Sequence, residues 1–236
     1  KGVRVVIAVP EKMAIEGIPP KWIHIIKPLK IHRAFARWYW EKVQVPSFFA
    51  SQKFAFEYYP YPCPLPKKSK NKRAMTVHDL ILLKDKRYKS NPLKTLYYRK
   101  SFDSLKHVDQ IFCVSETIAR QLKREATVLC NGIPTPPKIT NEKIKHQLVY
   151  LGGYDIRKNV PRLIEAMKLL PQFKLVLIGE PHHHSKFYPE LPQSEQIIHA
   201  GKLSDEDLYK TLAESYAFVH FSDSEGFNIP LVQAMA

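Results

Sequence analysis

Leu148–Ile178 reads LVYLGGYDIRKNVPRLIEAMKLLPQFKLVLI. Leu148–Leu151 is an apolar run of strand length, and Lys174–Ile178, KLVLI, is another. Between them Asn159 stands as a helix cap with Pro161 in the first turn. Leu163, Ile164, Met167 and Leu170 then recur at helical spacing, which predicts a buried face. Two strands joined by one crossover helix are the unit of a parallel sheet, so the stretch predicts an α/β fold.

The alternation continues downstream. Gly179–Gln196 reads as a loop or broken helix, and Ile197–Ala200 as a short strand. Ser204 with Asp207 makes a capping box for a helix that turns Leu208 and Leu212 inward, and Ala217–Phe221 is a last strand. Upstream, Ile133–Lys143, IPTPPKITNEK, is proline-rich, polar and without period, the composition of a linker. Two domains are therefore expected, residues 1–137 and 138–236.

The first half also reads as α/β. Val3–Val9, Trp22–Ile26, Ala74–Val77, Gln110–Val114 and Thr127–Leu129 are strand-like. Ile31–Lys42 is a predicted helix with Arg33 and Arg37 four apart and Phe35, Trp38 and Tyr39 on another face. Leu93–Leu105 is a second, and Ser115 caps a third. Tyr58–Pro66, YYPYPCPLP, has too many prolines for a helix interior and reads as an extended loop.

Charge divides the chain at the same place as composition does. Residues 1–138 hold 27 Lys and Arg against 10 Asp and Glu, a net +17; residues 139–236 hold 10 against 12, a net −2. A half so basic suits nucleic acid, an anionic membrane surface or a phosphorylated substrate. No RNA-binding motif accompanies the Tyr and Lys of Tyr88–Lys100, so no nucleic acid is expected as a partner. The densest run, Lys67–Arg73, reads as a solvated loop. No apolar run approaches the ~18 residues of a membrane span. Cys63, Cys113 and Cys130 are widely spaced and odd in number, which favours reduced thiols in a cytoplasmic protein over a disulfide or metal framework. His182, His183 and His184 lack spaced partners and read as a solvated loop, so no metal site is predicted.

Two strand-to-helix loops carry complementary chemistry. Arg157-Lys158 offers a fork of donors and a point charge, the groups that suit a diphosphate. Phe221–Ala236, FSDSEGFNIPLVQAMA, ends a strand and enters a helix at Pro230, where unpaired N–H groups favour an anion. Glu225 is awkward beside a phosphate but suited to sugar hydroxyls. Taken alone, Glu225-Gly226 is equally an ordinary turn, and Arg157-Lys158 an exposed basic pair. In a parallel sheet both loops lie at the carboxyl edge, where such sheets bind ligands. His78-Asp79 occupies the same kind of position after Ala74–Val77, where Asp79 also reads as a helix cap.

Tyr150–Leu170 and Glu225–Ala236 resemble the two signature stretches of family 4 retaining glycosyltransferases, the mannosyltransferase-like branch of glycosyl transferases group 1. MTVHDL at Met75–Leu80, CVSE at Cys113–Glu116 and CNGIP at Cys130–Pro134 are further resemblances, in the family's order. The resemblance implies a GT-B architecture: two Rossmann-like domains with parallel sheets facing a cleft, the nucleotide sugar on the second and the acceptor on the first. It also implies that the first strand and Gly-rich loop precede Lys1 and that the second domain is incomplete.

By the same resemblance, Arg157 and Lys158 neutralise the departing diphosphate, in place of a metal or other cofactor. Glu225 holds hydroxyls of the transferred sugar, the backbone of Gly226, Phe227 and Asn228 contacts sugar and phosphate, and His78 approaches the reacting centre from the first domain. The family has a second Glu eight positions after the first, for the nucleotide ribose; here that position is Gln233, an amide that binds without charge assistance. Asn228 stands where glycine is common, at a place where positive φ is expected. The implied activity is hexose transfer from GDP-mannose or a UDP-sugar to a glycan or lipid-linked acceptor in cell-envelope polysaccharide synthesis. It would take place in the cytoplasm, with the basic half against the inner face of the membrane. The alternatives are a sugar-nucleotide-binding protein without catalysis and a basic nucleic-acid-binding module.

Overall fold

The computed structural model describes residues 5–15, 17–52, 54–88, 91–180, 191 and 194–236. Val3, His182, His183, His184 and most of the 179–196 connection lie outside the described residues. The chain divides into two compact units, Lys1–Leu129 and Cys130–Ala236. The division falls just before the proline-rich stretch at Ile133–Lys143.

In the first unit β1 (Ile7–Val9) pairs parallel with β2 (Ile23–Ile25). The predicted helix at Ile31–Lys42 runs further than its sequence suggests. α1 (Arg33–Tyr39) passes through a π-helical turn at Trp40–Gln44 into α2 (Val45–Ser51). The π-helical turn ends just before Pro46, whose missing N–H removes one rung of the helical ladder at that point. Phe35 is 55% exposed, so the aromatic face expected there is only partly core.

Next comes β3 (Phe56–Tyr59), a strand that overlaps the expected loop at Tyr58–Pro66. It is followed by β4 (Lys72–Val77), α3 (Ile81–Lys84), α4 (Pro92–Asp103), β5 (Gln110–Cys113), α5 (Glu116–Leu122) and β6 (Thr127–Val128). The sheet is parallel, in the order β3-β4-β5-β6. Lys67, Lys68, Lys70 and Lys72 of the basic run are exposed, but Arg73 is buried. Its Nε donates to Glu57 Oε2 at 3.2 Å, and Tyr59 Oη donates to the same oxygen at 2.9 Å. An apolar cavity of about 990 Å³ in this unit is lined by residues of β1 and β3 together with Arg37 and Glu41. Cys63 and Cys113 are buried and Cys130 is exposed, all as free thiols.

The second unit positions the site. Its strands are β7 (Ile144–Leu151), β8 (Lys174–Ile178), β9 (Ile197–Gly201) and β10 (Ser215–Phe218), all parallel, in the order β10-β7-β8-β9. α6 (Val160–Met167) joins β7 to β8, α7 (Asp205–Glu214) joins β9 to β10, and α8 (Ile229–Met235) follows β10. The period-2 alternation of β7 sorts its side chains between two cores. Leu148 and Tyr150 pack with Val160, Leu163, Ile164 and Met167 of α6. Val149 packs on the other face with Leu208 and Leu212 of α7. Helices thus cover both faces, which is why Leu175–Ile178, LVLI, is apolar throughout. Leu170, expected in the core, is 38% exposed because α6 ends at Met167.

Strand order makes one gap special. From β7 the chain moves outward to β8 and β9, then returns through α7 to place β10 on the other side of β7. The direction of winding therefore reverses between β7 and β10, the kind of place at which parallel sheets bind ligands. The loop after β8 must instead pass close by. Gly179, at φ +129°, lies where an added Cβ would meet Gly152 O at 2.2 Å.

Candidate functional site at the β7/β10 switch point

The loop after β7 is held from inside. Gly152 N donates to Ile178 O at 3.0 Å, and Tyr150 Oη to Gly153 O at 2.8 Å. The Asp155 carboxylate accepts from Arg157 N at 3.1 Å and so caps a single 3₁₀ turn, Ile156–Lys158. Asn159 follows in the left-handed region at φ +53°, a conformation asparagine tolerates better than other non-glycine residues. Asn159 stands at the N-cap of α6 as expected, yet its side chain does not cap the helix. Its Nδ2 donates instead to Phe221 O at 3.3 Å and to Asp223 Oδ1, tying one loop to the other.

Further bonds complete the stitching. Asp223 N donates to Arg157 O at 2.9 Å, and Arg157 Nη1 donates to Ser224 O at 3.0 Å. At the centre stands Glu225. Lys158 Nζ is 2.5 Å from Oε1 and Arg157 Nη1 is 3.0 Å from Oε2. His220 Nε2 is 3.6 Å from Oε1. Lys158 is buried at 8% exposure, and the Glu225 side chain is 19% exposed. Burial alone would raise the Glu225 pKa; the hydrogen bond and charge of Lys158, a hydrogen bond from Ser222 and the charge of Arg157 outweigh it and hold the carboxyl below its usual value. The His220 pKa is lowered, first by burial and then by Lys158 and Arg157, against the pull of Glu225, so the imidazole is neutral at pH 7.

The remaining expected residues separate into two groups. Gly226, Phe227 and Asn228 continue the loop from Glu225 and are half-buried, and Gln233 is half-buried on α8. Asn228 has φ +69° and ψ +61°, the left-handed conformation foreseen for a position where glycine is common. His78 belongs to the first unit. It is exposed just past β4, with Nε2 2.8 Å from Pro60 O, while Asp79 accepts from Ile81 N at 2.9 Å at the start of α3. Among the described residues no group of three His, Cys, Asp or Glu is placed to hold a metal ion. His220, Asp155 and Asp223 are members of the site that sequence reasoning missed. A histidine just past an apolar strand and five residues before Glu225 was the available signal.

A switch point where an arginine, a buried lysine and a carboxylate converge is a setting for an anion that also carries hydroxyls. Residues 134–236 match the family described as "Glycosyl transferases group 1". The match falls within the second unit, which carries the site. The chain is 26% identical over 197 residues to the serotype-specific mannosyltransferase WbdA of Escherichia coli, covering 70% of this chain and 24% of that protein. It is 31% identical over 97 residues to the O-antigen chain mannosyltransferase B of Escherichia coli, covering 37% of this chain and 26% of that protein. The chain thus spans about a quarter of the length of these curated relatives.

Solved GT-B glycosyltransferases share its fold. Anabaena HepE, solved with UDP and glucose, superposes with a TM-score of 0.61 at 14% identity, covering 90% of this chain and 64% of that one. TarM does so with a TM-score of 0.52 at 12% identity, covering 72% and 36%. No helix among the described residues is long and apolar enough to cross a membrane.

Proposed function

We propose that this chain is part of a retaining hexosyltransferase that takes a nucleotide-diphosphate sugar at the β7/β10 switch point. The observation that carries the reading is the convergence of Arg157, Lys158 and Glu225 on one point from two loops of one parallel sheet. Breaking the bond between sugar and diphosphate leaves negative charge on the phosphate and oxocarbenium character on the sugar. Arg157 and Lys158 are fixed cations for the first, and Glu225 is a hydroxyl acceptor for the second. Preorganised charge of this kind stabilises the transition state more than the ground state, and losing one such donor costs ~3–4 kcal/mol of barrier. The two cations stand in for a divalent metal, so turnover survives chelation.

The donor is GDP-mannose or a UDP-sugar. Mannose is favoured because the curated relatives are mannosyltransferases. The acceptor is a glycan or lipid-linked saccharide of the cell envelope, bound on the side of the first domain, residues 1–137, with His78 among its contacts. The net charge of +17 over residues 1–138 favours peripheral contact with an anionic membrane on its cytoplasmic face. Gln233 favours a second reading, a sugar-nucleotide-binding protein without catalysis, because a neutral amide grips the ribose less firmly than a carboxylate.

The test is release of nucleoside diphosphate from GDP-mannose and UDP-sugars by the complete gene product, with and without chelator. Release that drops at least about 100-fold in Arg157→Ala supports the proposal. Release untouched by that substitution removes Arg157 from the chemistry. Donor binding with no turnover on any acceptor favours the second reading.

A further inference from the structure

The Glu225 carboxylate is bound to the very cations a diphosphate needs. Lys158 holds one oxygen at 2.5 Å and Arg157 the other at 3.0 Å. Asp155 Oδ1 lies 3.8 Å from Arg157 Nε, so two cations face two carboxylates and the cluster is close to neutral. The neutral His220 adds no charge. An approaching diphosphate therefore meets little positive potential until Glu225 turns away.

The loops are built unequally for such an exchange. Arg157 and Lys158 lie in a 3₁₀ turn capped by Asp155, and Lys158 is buried. Glu225 follows two exposed residues, Asp223 and Ser224, in a segment with no regular structure. The Glu225 loop is tied at Phe221, Asp223 and Ser224, so such an exchange moves the Glu225 side chain and leaves both loop backbones in place.

Resting on the reading of this switch point as a diphosphate site, we infer that Glu225 competes internally for the phosphate position and is the residue by which the site distinguishes a sugar-bearing nucleotide from a bare one. A carboxylate that leaves two cations in a partly buried site must find other donors, or its desolvation goes uncompensated. A sugar nucleotide brings those donors as hydroxyls beside the phosphate it binds. A bare nucleoside diphosphate brings none there, leaving Glu225 with water, with the Ser222 hydroxyl and with His220, whose Nε2 is 3.6 Å from the resting position of Oε1. The bare nucleotide bears more of the cost of displacement, and the sugar nucleotide recovers part of it. Once the sugar has been transferred, the same competition returns Glu225 to Lys158 and Arg157 and drives the nucleotide out.

The test is calorimetric titration of GDP, UDP, GDP-mannose and UDP-glucose into the wild-type chain, Glu225→Gln, Glu225→Asp and Arg157→Ala. Glu225→Gln removes the competing charge, so the nucleoside diphosphate binds about tenfold tighter, and its disadvantage against the matching sugar nucleotide shrinks at least as much. Glu225→Asp keeps the charge and shortens its reach, so it gives a smaller gain in the same direction and guards against a folding defect in the first variant. If Arg157→Ala weakens every ligand while neither Glu225 variant tightens the bare nucleotide, the competitor role is overturned and the diphosphate site stands. If Arg157→Ala changes nothing, the diphosphate site itself is refuted.

Discussion

Gly179→Ala tests how the fold aims the Arg157 loop. The new Cβ would sit 2.2 Å from Gly152 O and 2.9 Å from Gly152 C, where an ordinary carbon–oxygen contact is about 3.4 Å. The backbone at Gly152 must then retreat by roughly 1 Å. It is held by Gly152 N to Ile178 O at 3.0 Å, and Gly179 is itself held by its N–H to Gly201 O at 2.8 Å. A φ of +129° is glycine territory, which costs another residue about 1–3 kcal/mol before any clash. Adding about 1 kcal/mol for each weakened hydrogen bond brings the loss to about 3–5 kcal/mol. For a unit of this size that lowers the melting temperature by about 12–20 °C.

Two sister substitutions calibrate the result. Gly201→Ala meets no atom within 4 Å but keeps φ +65°, so it costs about 1–2 kcal/mol. Gly132→Ala meets open space at ordinary φ and changes stability by less than about 0.5 kcal/mol. Circular dichroism reports the helices and sheets of both units, whereas Trp22, Trp38 and Trp40 all lie in the first, so the expected change is in the dichroism transition and not in the tryptophan fluorescence. A Gly179→Ala midpoint within about 4 °C of Gly201→Ala would refute the close packing of the β7 and β8 loops.

Further outcomes follow from particular contacts. Arg73→Ala strands the buried Glu57 carboxylate and should cost the first unit about 3–5 kcal/mol, read by tryptophan fluorescence in urea; a loss under 1 kcal/mol contradicts the buried pair. Asn228→Gly keeps the left-handed entry to α8 and holds stability within about 1 kcal/mol, whereas a β-branched Asn228→Val loses about 1–2 kcal/mol by thermal melting. The folded-state pKa of Glu225 is depressed, so its contribution to stability is complete above the unfolded carboxylate value and is lost as pH falls through the folded one. Acid titration of the second unit should accordingly be less steep in Glu225→Gln, and an identical acid limb would show that the Lys158 and Arg157 contacts do not stabilise the fold.

The backbone of the second unit was legible because its signals are local. α6, β8 and the Leu148–Leu151 half of β7 follow from apolar spacing and start signals, while Ile144–Gln147 extends β7 without an apolar pattern, and Ser204 caps α7 through Asp207 N, as the capping box predicts. β3 was hidden because Phe56 and Tyr58 are 47% and 49% exposed while Glu57 and Tyr59 are buried. A strand that buries a glutamate beside an arginine inverts the apolar pattern. The run of helix through Pro46 was hidden by its π-helical turn, which keeps no 3.6-residue period.

At the site, residue types were legible and pairings were not. Arg157, Lys158 and Glu225 could be named from loop positions, but that Glu225 takes both cations, Lys158 from 67 positions away, depends on strand order. The same holds for Asn159, which reads as a cap and is spent on the opposite loop.

The central claim is that the loops after β7 and β10 together hold a nucleotide diphosphate. Amide hydrogen exchange of the chain with saturating GDP, and separately UDP, tests it most directly. The account predicts slowed exchange over 152–160 and over 221–229 with at least one of the two nucleotides, and in both segments together. Slowing confined to the first unit, or absent from both loops with both nucleotides at millimolar concentration, would contradict it.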